Sequence, residues 1–161
     1  DPILTICAVL SYRSPFLSPI DNREEAKEMQ EQFKRCKSDH VSYIFAYEAF
    51  IEAKKLKKED SFCKKHFLSL STMKMIMKLR NQFAELLGDI GFVSINKKTG
   101  QLVNDMANEQ KHNLKILQAC LCAGLYPNVI KIQPPHKSYT KIAAGTIEKQ
   151  AKVQEFKFYT K

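Results

Sequence analysis

The feature that most constrains this chain is an amphipathic stretch within residues 62–93. Ser69 or Ser71 can cap a helix there by accepting a backbone N–H, and Gly88 and Gly91 can end it in the left-handed conformation. Apolar side chains recur between these residues at steps of three and four, the helical period: Met73, Ile76, Met77, Phe83, Leu86, Leu87 and Ile90. The stretch therefore predicts a long helix with one face in a core.

Polar and basic side chains occupy the opposite face of this predicted helix. They are Lys74, Lys78, Asn81, Gln82 and Glu85, with Arg80 near the border between the two faces. One interpretation is an ordinary solvated outer face. The other is a row of groups that bind a ligand, and the pattern alone leaves both open.

The net charge of +9 is concentrated in two blocks. Residues 51–82 contain nine lysine and arginine residues against three acidic ones, and residues 127–161 contain seven lysines against two. Two basic blocks on an otherwise near-neutral chain suggest a polyanionic partner, most simply a nucleic acid. The alternative is a set of lysines that only keep the chain soluble.

The remaining pattern before residue 125 is also helical. Residues 1–12 predict an apolar core helix, with Asp1 as its cap and Pro2 in its first turn. This helix is either central to the fold or the end of something larger that has been cut. Residues 14–20 contain two prolines and predict an extended connector. A charged surface helix is predicted over residues 21–36, where Asp21 and the residue three positions later resemble a capping box.

Two more helices complete this part. Ser38 can cap a broadly buried third helix, and a charged turn follows over residues 54–61. Residues 95–105 have turn chemistry and predict a loop or loose hairpin. The last helix begins at 108 or 109 and ends at Gly124.

The pattern then changes from helical to extended. Residues 129–132, 139–142 and 153–159 are strand candidates, and the last has the two-residue alternation of a half-buried strand. The sequence therefore predicts a mainly α fold: a helical domain over 1–125, followed over 126–161 by the opening of a β domain. Because two or three strands do not close a stable sheet alone, we expect the chain to be cut within that domain.

The sequence contains no motif for independent catalysis. It has no phosphate-binding G-x-x-x-x-G-K-[S/T] loop and no G-x-S-x-G nucleophile turn. No apolar run approaches the ~20 residues needed to span a bilayer, so we expect no membrane partner. The five cysteines show no disulfide framework, which predicts reduced, mostly buried thiols and an intracellular protein, either cytoplasmic or nuclear.

Four residues of the sequence offer a possible metal site. Cys36 and His40, together with Cys63 and His66, supply a possible Cys₂His₂ zinc set. The first pair straddles a predicted helix start and the second lies beside an aromatic core segment, so we predict that no metal is bound. An independent thiol enzyme also lacks a third orienting residue.

Several segments together resemble a known family. In order, they are DPILTI-x-A-x-LS-x-x-x-PF, SDH before an aromatic-rich helix, FC-x-x-x-FLS, LR-x-QF, GF and CAGLYPNV-x-KI. This order is similar to the C-terminal helicase-associated region of DEAH-box/RNA helicase A family ATP-dependent RNA helicases. Two positions depart from the family pattern: His66 stands where Asn is frequent, and Phe50 where Trp is common.

The resemblance implies a fragment of a helicase, with a ratchet-like helical bundle followed by an incomplete oligonucleotide-binding (OB) fold. It implies that RecA-like and winged-helix domains lie in the parent chain, where ATP and Mg²⁺ are bound, and that this fragment holds no cofactor or catalytic residue. The implied function is to guide single-stranded RNA beside the motor domains. The alternative is a docking module that recruits protein partners, for which the helix over residues 21–36 is the candidate surface.

The resemblance also suggests which residues contact RNA. Those in the helical part are Ser38, Asp39, His40, Lys74, Lys78, Arg80 and Gln82, and those in the β part are Asn128, Lys131 and Lys157. The first three lie at a helix N-terminus, where free N–H groups can bind a phosphate. Instead of contacting RNA, Arg80 and Gln82 could hold that N-terminus. Arg80 has a further interpretation, an internal salt bridge with Asp39 as the suggested partner.

Overall fold

The computed structural model divides the chain into two compact units, residues 1–117 and 118–161. The residues that it describes are 1–34, 38–96, 101–102, 108–142, 145–148 and 151–160. The domain boundary predicted after residue 125 stays a prediction. Cys36, one of the four residues weighed for zinc, lies outside the described residues.

Helices dominate the described residues, which confirms the mainly α class. The described residues form six α-helices: α1 Pro2–Leu10, α2 Arg23–Glu31, α3 Asp39–Lys55, α4 Glu59–Lys65, α5 Leu70–Asp89 and α6 Leu114–Leu125. None of the helices in the described parts of the chain is both long and apolar enough to cross a membrane.

Helix α1 lies at the centre of the first unit. It packs against α3 on one side and α5 on the other, and Thr5, Ile6 and Ala8 are almost completely buried. A short helix that is apolar on most sides must be enclosed to be stable in water. The prediction of a central first helix is therefore confirmed.

The core continues through α3, α4 and α5. Phe50 of α3 and Met73 and Ile76 of α5 are fully or nearly fully buried within one apolar cluster. The extended connector after α1 is held against this cluster, because Leu17 N–H donates to the Phe67 carbonyl at 2.8 Å. Its Phe16 ring stacks on the ring of Tyr43 with centroids 5.8 Å apart.

The Ser69 start and the Gly91 end predicted for α5 are confirmed, whereas Gly88 lies within the helix. The Ser69 hydroxyl accepts a hydrogen bond from Thr72 N–H at 3.3 Å, so Ser69 is the cap. Gly91 follows the helix with φ of +73°, in the left-handed region where glycine has no steric penalty. Near this end the apolar stripe reaches solvent, because Leu86 and Ile90 are exposed.

Two helix starts differ from those predicted. Helix α2 begins one to two residues later, with Asn22 as its N-cap residue, and the Asn22 amide donates to Glu25 instead of Asp21 meeting Glu24. Helix α6 begins at Leu114, because the Asn113 side-chain oxygen accepts Ile116 N–H at 3.3 Å and so acts as the cap. The turns before Asn113 keep residues 108–113 out of the helix.

Helix α4 was missed by the sequence analysis. The predicted charged turn over residues 54–61 already contains its start at Glu59. Glu59 and Asp60 occupy its first turn, where carboxylates stabilise the positive end of a helix dipole. The turn itself is confined to the residues between α3 and α4, where Lys57 adopts a positive φ of 55°.

The extended residues form three antiparallel two-stranded ribbons among the described parts of the chain. They are β1 Ile95–Asn96 with β2 Gln101–Leu102, β3 Ile130–Gln133 with β6 Lys157–Thr160, and β4 Tyr139–Ile142 with β5 Gly145–Glu148. The first ribbon confirms the hairpin alternative. An OB fold stays a prediction, since separate ribbons do not establish one.

Two predictions about burial and one about a strand are wrong. Val153–Glu155 forms a single 3-10 turn, so the last strand begins only at Lys157. That strand is exposed on both faces and is not half-buried, because none of the described residues covers Phe158. Cys120 and Cys122 are exposed as well, so the thiols are not mostly buried.

Met73 and Met75 provide a matched test of which face of α5 is buried. Met73 is fully buried, whereas Met75 is 38% exposed. We expect Met73→Ala to lower the free energy of unfolding by about 2–5 kcal/mol, because it leaves a cavity in the core. Met75→Ala should cost less than about 1 kcal/mol. Urea denaturation of both variants measures the difference, and equal losses would contradict the assigned core face.

Candidate nucleic-acid interface

The outer face of α5 carries three of the predicted RNA-binding residues in one row. Lys74, Lys78 and Gln82 are all exposed and follow one another at intervals of four residues. Residues four apart lie on the same side of a helix, with Cβ atoms about 6 Å apart. The buried stripe that includes Met73 and Ile76 fixes the rotation of α5, so this row faces solvent.

Lys54, at the end of α3, adds a positive charge beside this row. Its Nζ lies 3.0 Å from Sδ of Met77, the residue that immediately precedes Lys78. No carboxylate of the described residues forms an ion pair with Lys54, Lys74 or Lys78. Their charge is therefore not neutralised by that part of the protein.

Other lysines of the same basic block are already paired. Lys55 contacts Glu52 at 2.7 Å and Lys64 contacts Asp60 at 2.8 Å. The hydrogen bond from Lys64 to Asp60 raises the pKa of Lys64. The structure thus separates exposed lysines with a local carboxylate from those without one, a distinction that the sequence did not reveal.

Arg80 is held inside the first unit. Its guanidinium forms an ion pair with the Asp1 carboxylate and lies over the ring of Tyr47, 4.4 Å from the ring centroid. Only 15% of its side chain is exposed. Arg80 therefore joins the start of α1 to α3 and α5. This arrangement favours the internal salt bridge, although its partner is Asp1 and not Asp39, while RNA contact by Arg80 stays a prediction.

The N-terminus of α3 is capped as predicted. The Ser38 hydroxyl accepts Val41 N–H at 3.4 Å, Asp39 is exposed, and the His40 ring packs edge-on against Tyr43. Arg80 does not hold this terminus, because its α3 contact is Tyr47, about 12 Å further along the helix at 1.5 Å per residue.

Two of the residues weighed for zinc have packing roles. His66 Nδ1 lies 2.7 Å from the Gln32 amide nitrogen, its ring packs on Phe62 with centroids 4.5 Å apart, and burial lowers its pKa. Burial raises the pKa of Cys63 to about 11, which keeps the thiol neutral at pH 7. The described residues contain no cluster of three or more potential metal ligands.

In the second unit, the strand register brings Lys131 and Lys157 onto one face. Lys131 lies directly opposite Tyr159, and Gln133 directly opposite Lys157. Directly opposed residues of an antiparallel pair project to the same face, with Cβ atoms about 5 Å apart. Asn128 lies before this ribbon, where its N–H donates to the Leu125 carbonyl at 2.8 Å, and its side chain is not part of the ribbon face.

Two further members of this face, Tyr159 and Gln133, were not among the residues predicted to bind RNA. Their side chains are joined, since the Tyr159 hydroxyl donates to Oε1 of Gln133 at 3.1 Å. The alternation that was noted in the last strand already grouped Tyr159 with Lys157. It did not give the register against Ile130–Gln133, so the partner strand could not be identified from sequence.

We expect Arg80→Gln to lower the free energy of unfolding by about 1–2 kcal/mol, because it removes the ion pair and the cation–π contact. Lys78→Gln is the matched control on the same helix and should change stability by less than about 0.5 kcal/mol. Urea unfolding followed by circular dichroism measures both. An Arg80→Gln variant as stable as the unmodified chain would contradict the role of Arg80 in joining α1 to α3 and α5.

Comparison with known proteins identifies the kind of region to which this chain corresponds. Residues 1–43 match the family model of the helicase-associated domain (HA2), ratchet-like. The chain is 42% identical over 146 residues to the DExH-box ATP-dependent RNA helicase DExH1 of Arabidopsis thaliana. It is 35% identical over 167 residues to the putative ATP-dependent RNA helicase DHX57 of Mus musculus, and 38% over 137 residues to the human ATP-dependent DNA/RNA helicase DHX36.

These alignments cover most of this chain but little of each relative. They include 88%, 94% and 83% of the chain, whereas the matched parts are 14%, 12% and 13% of the respective helicases. The shared sequence is thus one region of a much larger protein in each relative. The chain corresponds to a helicase-associated region and is similar to that region of DExH-box ATP-dependent RNA helicases.

Proposed function

We propose that this chain is an accessory module that binds single-stranded RNA through its phosphates and guides the strand beside the motor domains of a helicase. The relatives are described as ATP-dependent RNA helicases, or as a DNA/RNA helicase in the case of DHX36. In this proposal RecA-like domains of the same protein bind ATP and Mg²⁺ and move the strand, and a winged-helix domain adjoins them. The chain described here supplies a surface and no catalytic group.

The observation that carries the proposal is the solvent-facing row on α5. Lys74 and Lys78 are exposed and lack a carboxylate partner in the described structure, and Lys54 lies beside them. Lysines of this kind attract phosphates without regard to base sequence, because binding releases the counterions condensed on the strand. Gln82 extends the same row with a neutral hydrogen-bonding group.

Other predicted contacts have supporting roles in this proposal. Ser38, Asp39 and His40 present the N-terminus of α3, where a phosphate can meet backbone N–H groups. Arg80 acts mainly by holding α5 against α1 and α3, so it positions the lysine row. In the second unit, Lys131 and Lys157 supply phosphate contacts, and Asn128 lies next to their ribbon.

The salt dependence of RNA binding tests the proposal. We expect the 161-residue chain to bind a fluorescein-labelled single-stranded RNA in fluorescence anisotropy, with affinity that falls steeply as salt rises. The double variant Lys74→Gln/Lys78→Gln should reduce the slope of log K against log salt by about 1.4, since each contact to a single strand contributes about 0.7.

The matched control is Lys55→Gln/Lys64→Gln, which removes the same charge from lysines that already have carboxylate partners. We expect this variant to keep a slope close to that of the unmodified chain. Equal slopes for the two double variants would show that only net charge matters and would contradict a specific role for the α5 row. Absence of RNA binding at low salt would contradict the proposed function itself.

A further inference from the structure

The ribbon formed by β3 and β6 has two chemically different faces. One face carries Lys131, Gln133, Lys157 and Tyr159, and the other carries Ile130, Ile132, Phe158 and Thr160. Polar and apolar side chains separate because successive residues of a strand point to opposite faces. The register then pairs the polar residues of one strand with the polar residues of the other on the same face. An aromatic ring on the first face therefore lies among cationic and amide groups.

The geometry points to a subsite on this first face that stacks one base of a single-stranded RNA on Tyr159 while Lys131 and Lys157 bind the flanking phosphates. This inference rests on the proposed function and adds a base contact to it. Aromatic side chains bind bases of any sequence, because every base has a π-face. The subsite would therefore strengthen binding without selecting a sequence.

The position of Tyr159 suits a stacking role. Tyr159 is 47% exposed, so a base can reach its ring without rearrangement of a core. Its hydroxyl is tethered to Gln133 on the neighbouring strand at 3.1 Å. The tether restricts rotation of the side chain, which lowers the entropy that binding must remove.

The two lysines flank the ring on different strands. Lys131 lies directly opposite Tyr159, where Cβ atoms are about 5 Å apart. Lys157 is two residues before Tyr159 on the same strand, so it projects from the same face about 7 Å away along the strand. Neither lysine forms an ion pair with a carboxylate of the described residues. The ring thus has a positive charge on two sides, as a nucleotide with a phosphate on either side requires.

The test compares a single-stranded RNA oligonucleotide with a length-matched oligonucleotide in which every residue is abasic. Both probes present the same phosphates, but only the first offers bases for stacking. We expect Tyr159→Ala to weaken binding of the normal RNA by about 5- to 150-fold. The same variant should leave the affinity for the abasic strand and the salt slope unchanged.

Two control variants separate stacking from folding. Tyr159→Phe keeps the π-face and loses only the hydroxyl tether, so we expect affinity within about threefold of the unmodified chain. Phe158→Ala removes an aromatic ring of similar exposure from the opposite face of the same strand, and we expect normal affinity for both probes. Circular dichroism checks that each variant is folded.

The outcomes distinguish this inference from the proposed function. If the unmodified chain prefers the normal RNA but Tyr159→Ala retains that preference, the subsite is wrong and the phosphate-binding function stands. If the unmodified chain binds both probes equally, no base is stacked and the subsite is wrong in the same way. If it binds neither probe at low salt, both proposals fail.

Discussion

The structure of the helical unit depends on the burial of α1 between α3 and α5. This nine-residue helix is too short to be stable alone, and its apolar faces are covered only because two longer helices enclose it. Burial of these faces stabilises the unit by the hydrophobic effect. Arg80 of α5 adds contacts within the same three helices, because it pairs with Asp1 at the start of α1 and packs on Tyr47 of α3.

That arrangement also determines which groups face solvent. With Met73 and Ile76 in the core, α5 can present only the side that carries Lys74 and Lys78. Packing and the candidate RNA surface are therefore two faces of one helix, and a change that rotated α5 would disturb both. Arg80 lies between the faces, where it pairs with Asp1 and packs on Tyr47, so its surroundings differ from those of the exposed lysines in the same block.

In the second unit, too, the period of the regular structure decides which side chains share a face, and here that period is the two residues of a strand. Alternation along β3 and β6 gathers charged and aromatic groups on one face and leaves Ile132 and Phe158 on the other. The chemistry of the first face appears only when the strands are aligned, because Lys131 and Tyr159 are far apart in sequence. Both proposed contact surfaces, the α5 row and this ribbon face, thus arise from regular structure and not from long loops.

The sequence by itself determined the mainly α class, the Ser69 cap and Gly91 end of α5, the exposure of Lys74 and Lys78, and the helicase-associated character of the chain. These follow from local rules, because helical period, capping and motif order are all readable along the chain. Only the tertiary structure decided the partner of Arg80, the exposure of Phe158 and the pairing of Lys131 with Tyr159. Each of these depends on which distant residues meet, and hydrophobic periodicity carries no information about that choice.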